Sequence, residues 1–194
     1  MSRVAFLRAG YVAFCVAFLA VGASIVGAGA LFLLALLAAL VAGILFALSR
    51  DELPKWAGIA LLAYFGLSVL AFLAATPITI GKQGDYFVND KPSSMFHDAY
   101  DYVVLAFPIM LGGAALASAW ERERGPKTLL FAGLAASVVW AALSIALVPT
   151  AGKATLEVAS AQTQNHLLDL LAVAACIASA AGALWAALRP DEYA

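Results

Sequence analysis

Charge is what this sequence has least of. Of its 194 residues only 12% are Asp, Glu, Lys or Arg, while 64% are hydrophobic. A soluble domain carries about a quarter charged residues, so this chain has too few to cover a water-facing surface. That excludes an ordinary soluble enzyme and a disordered tail. The formal net charge of −1 gives no attraction for DNA or RNA and excludes a nucleic-acid-binding module. Cysteine is scarce too. Cys15 and Cys176 each stand alone in an apolar run, which excludes a zinc ribbon or a CxxC pair and leaves them as small buried hydrophobes. Alternation of period two is absent, which argues against a membrane β-barrel.

What the chain does have is long uncharged runs, with a mean hydropathy of +0.96. A membrane helix needs about 20 apolar residues. Residues 9–49 carry no Asp, Glu, Lys or Arg, about twice the length of one span. They are expected to form a hairpin broken at Gly27-Ala28-Gly29, where glycine turns the backbone cheaply. Uncharged runs at 56–81, 102–120, 128–152 and 170–188 supply four more spans. The expected fold is therefore an all-α integral membrane protein, one transmembrane domain over 1–194. Its six helices lie near 5–26, 30–49, 55–76, 98–120, 127–148 and 165–188. Thr76-Pro77 is expected to end the third and Pro149 the fifth. Arg3 and Arg8 before an apolar run resemble the start of a signal peptide, but the run passes directly into a second span and reads as a retained helix.

Six spans put both termini on one side. Arg3, Arg8, Arg50, Lys55, Arg122, Arg124, Lys127 and Arg189 fall with the termini, and Lys82, Lys91 and Lys153 fall opposite. Basic residues collect on the cytoplasmic side of a membrane. Both termini are thus expected in the cytoplasm, with the longer loops at 77–96 and 150–164 outside. Trp56, Trp120 and Trp185 then mark the inner boundary and Tyr100 and Tyr102 the outer one.

Helices in lipid associate through small residues that let backbones approach. Steps of four pick out Ala174, Ala178 and Gly182 on helix 6, Gly133, Ser137 and Ala141 on helix 5, and Gly113 and Ala117 on helix 4 as expected seams. Pro108 removes a backbone donor inside helix 4 and is expected to bend it.

No ionisable residue falls in the middle of a span, which argues against proton- or sodium-coupled transport and against an intramembrane aspartyl or metalloprotease. The one constellation with chemistry lies at the outer ends of helices 4 and 6. His97 and Asp101 stand four apart, His166 and Asp169 three apart, and each pair shares a helical face. Two imidazoles and two carboxylates suit zinc, copper or iron. The histidines alone suit a b-type haem, and a proton relay at a cavity mouth is a third use. The same residues have a plain structural reading. Asp98, Asp101 and Asp169 would complement helix N-termini, and Ser93, Ser94, Thr163 and Asn165 are good N-caps.

The function expected from this is non-catalytic: a subunit or accessory component of a larger assembly in the cell membrane. Its partners would be lipid and other membrane subunits or a second copy. Alternatives are a small-solute binding or transport protein with an outward-facing cavity, and a metal or haem redox protein using His97 and His166.

Overall fold

The computed structural model describes residues 3–25, 28, 30–88, 99–121, 124–147 and 155–188. Side-chain surroundings are described within these except at 3–4, 71–88, 99–104, 145–147 and 155–166. Among the described residues there are six α-helices and no strand. They are α1 (Arg3–Ile25), α2 (Leu31–Ala47), α3 (Glu52–Val88), α4 (Ala99–Ser118), α5 (Arg124–Leu147) and α6 (Thr155–Leu188). Four stretches are long and apolar enough to cross a membrane: Ala5–Ile25, Glu52–Leu70, Arg124–Ser144 and Leu167–Leu188. Leu31–Ala47 and Leu105–Ser118 are shorter apolar helices.

The helix starts follow from local chemistry. The break between α1 and α2 falls at Ala28, whose N–H reaches the Ala23 carbonyl at 3.1 Å while its own carbonyl accepts from Leu31 at 2.8 Å. Pro54 and Pro126 both sit in the first turn of their helices, α3 and α5. There a missing N–H removes no intrahelical bond.

Two helix ends differ from the sequence expectation. α3 does not stop at Thr76-Pro77 but continues to Val88. An interior proline removes one N–H and displaces one carbonyl, which bends a helix more readily than it ends one. α6 begins at Thr155, not near 165. The uncharged run marks only the apolar portion, and Ala, Leu, Glu and Gln between 155 and 164 are good helix formers in water. At a rise of about 1.5 Å per residue α3 is roughly 55 Å long and α6 roughly 51 Å.

Each helix packs on its neighbours in the chain, and α6 closes back onto α1. α1 also touches α4 across the middle. The result is a closed ring of six, pinched into two four-helix groups that share α1 and α4. Side-chain contacts fix the directions. The Phe46 ring, near the end of α2, lies where a Cβ on Gly10 would stand, near the start of α1. The Tyr11 hydroxyl donates to the Ser118 carbonyl at the end of α4, 2.7 Å away. Lys127 Nζ, at the start of α5, donates to the Trp120 carbonyl at 3.0 Å. Gly125 lies against the Trp185 ring near the end of α6. The start of α1 and the end of α6 therefore lie at the same end of the bundle.

The two groups are packed by different means. Between α1, α2, α3 and α4 the filling is aromatic. Phe46 stands 5.1 Å from Tyr11 and 5.2 Å from Phe14, ring centre to ring centre. Phe107 stands 5.7 Å from Phe32, 6.1 Å from Phe65 and 6.2 Å from Tyr64. Around α5 and α6 the helices approach through small residues: Gly22 on Cys176, Gly133 on Ser179, and Gly182 on Leu130.

Size, not polarity, separates inside from outside. The buried face of α2 is Ala35, Ala38, Ala39, Ala42, Gly43 and Phe46. Its exposed face is Leu33, Leu34, Leu37, Leu40, Val41 and Ile44. In water this would be the wrong way round, since each exposed leucine forgoes about 1.5–3 kcal/mol of burial. In lipid the outside needs no shielding, and the small residues are best used where backbones meet.

Candidate functional site

The outer-end constellation is only partly within reach. His97 lies outside the described residues. Asp101 lies in the first turn of α4, and its side chain, like that of His166, is not described. Asp169 is described and half-buried. Because α6 starts at Thr155, His166 and Asp169 lie about three turns inside it, not at its first turn. The helix-dipole reading of Asp169 is thereby corrected, because that effect is confined to a helix's terminal turn. Asp101 keeps it. Among the described residues no group of three or more His, Cys, Asp or Glu is placed to hold a metal.

The small-residue seams divide in the same manner. On α5 the expected stripe is right: Gly133, Ser137 and Ala141 are all buried. On α6 it holds at Gly182 and is one position off at Ala174 and Ala178. Ala174 is exposed, and the seam runs through Ala175, Ser179 and Gly182. On α4 the expected stripe is wrong. Gly113 and Ala117 are half-buried, while Leu111, Ala115 and Ala119, also at steps of four, are fully buried. In alanine-rich helices every face offers small residues, so spacing alone does not select the one that meets a neighbour.

At the opposite end of the bundle lies a feature the sequence reading missed. The start of α1, the turn into α3 and the end of α4 enclose a cleft of about 10 Å³. It is lined by Leu7, Tyr11, Asp51, Leu53, Pro54, Ser118 and Glu121. That is room for about one water. Tyr11 is fully buried there, and its hydroxyl satisfies one of the carbonyls that every helix leaves unpaired at its C-terminus. Lys127 does the same for Trp120 from the other side. The signal was present: Tyr11 is the only residue with a ring-borne hydroxyl in the run 9–49. A phenol at that depth requires a partner.

Chemically the cleft is a helix-end clamp with two carboxylates at its rim. Asp51 stands just before the first turn of α3, where its backbone carbonyl accepts from Lys55 N–H at 2.9 Å and its own N–H reaches Ser49 Oγ at 3.2 Å. These bonds set the α2–α3 turn. Comparison with known proteins finds no matching family, no similar curated protein and no similar solved structure.

Proposed function

We propose that this chain is a six-span integral protein of the cell membrane, with both termini cytoplasmic, that serves as a non-catalytic subunit of a larger membrane assembly. The observation that supports it most is the outer face of α3. Ala60, Ala63 and Gly66 are exposed there, flanked by Ile59 and Leu70. A glycine inside a helix costs about 1 kcal/mol relative to alanine. At Gly10, Gly43, Gly58, Gly133 and Gly182 the close approach of a neighbouring helix accounts for it. At exposed Gly66, as at half-buried Gly113 of α4, a Cβ would meet no atom of the described residues within 4 Å. A small, exposed patch on the outside of a membrane helix suits the backbone of a further helix, whereas the exposed leucines of α2 suit lipid.

The topology rests on charge. Eight of the 11 basic residues fall on the side of the termini, the side that basic loops take in the cytoplasm. α2 and α4, at 17 and 20 residues, reach the lower range of spanning lengths.

Extraction in a mild detergent followed by native gels, with crosslinking in intact membranes beforehand, tests the reading. The native chain should migrate in a larger species. Gly66→Leu should release it as a monomer that melts no lower than the native chain, because leucine is a better helix former than glycine. A native chain that is neither crosslinked nor larger than a monomer overturns the proposal.

A further inference from the structure

We draw no further inference here: the strongest candidate, the cleft at the ends of α1, α3 and α4 lined by Tyr11, Asp51 and Glu121, has room for no more than about one water and combines an acidic pair with a hydroxyl already bonded to Ser118, so nothing there points to a ligand.

Discussion

Gly133 of α5 sits directly on Ser179 of α6, so that a Cβ at position 133 would occupy the place of the Ser179 hydroxyl. The same Cβ would lie 2.8 Å from the Ala175 carbonyl and 2.9 Å from the Ser179 nitrogen. Side chains can rotate away, but these backbone atoms cannot. Gly133→Ala should therefore destabilise the bundle by about 1–3 kcal/mol, the usual range for overpacking. Ser179 Oγ itself is buried with no hydrogen-bond partner among the described residues. Ser179→Ala should thus be neutral or slightly stabilising. Thermal unfolding of the two purified variants checks both, and equal losses would contradict the assigned contact.

Gly58 and Gly66 lie on one helix and should respond oppositely to the same change. A Cβ at Gly58 would fall on the α2 backbone, 2.6 Å from the Gly43 carbonyl oxygen and 2.7 Å from the Phe46 carbonyl carbon. Gly58→Ala should lower the unfolding temperature and the folded yield. Gly66→Ala meets nothing and gains helix propensity, by about 1 kcal/mol. A melting comparison in detergent measures the difference, and the predicted order is Gly66→Ala above the native chain above Gly58→Ala.

Tyr11 contributes a ring and a hydroxyl, and they can be separated. Tyr11→Phe keeps the packing on Phe46 and leaves the Ser118 carbonyl without its donor. The expected loss is about 1–3 kcal/mol, the cost of a buried unsatisfied group. Tyr11→Ala should lose a further 3 kcal/mol or so, in line with large-to-small core changes. Chemical denaturation of the three proteins gives the two steps.

Topology follows from labelling with a membrane-impermeant thiol reagent. A cysteine at Arg50 or Lys127 should be labelled only after the membrane is opened, and one at Lys82 or Lys153 in intact cells. Cys15 and Cys176 lie within the apolar helices and should stay silent in both conditions. The reverse pattern would invert the proposed orientation.

On the subunit reading the purified protein should show no Soret absorbance and no stoichiometric metal. His97→Ala and His166→Ala should leave its migration on native gels unchanged. A Soret band or bound metal lost in either variant would replace that reading with the redox one.

The positions of the helices were legible because charge is so sparsely placed. The helix bounds read from the uncharged runs and their flanks agree with α1, α2, α4 and α5 to within about three residues at each end, since a charged side chain is expensive inside lipid. The ends of α3 and α6 were not legible. Hydropathy reports where the apolar stretch stops, and those helices continue past that point as Val88 and Thr155 show. The inward faces were legible for α5, for α6 only at Gly182, and not for α4. With apolar residues outside and alanine on every face, neither polarity nor spacing distinguishes Ala174 from Ala175. The histidine pair was visible as a pattern, but Asp169 took its real context only from where α6 starts.

The closure of the ring has a consequence for biogenesis. Of the six described helices α1 is made before the other five and α6 after them, yet Gly22 of α1 finishes against Cys176 of α6. α1 is also more deeply enclosed than the other spanning stretches. Until α6 is made, the side of α1 that carries Gly22 lacks its final neighbour. The ring thus closes only when α6 docks on α1, and a chain stopped before α6 leaves five helices around an open seam.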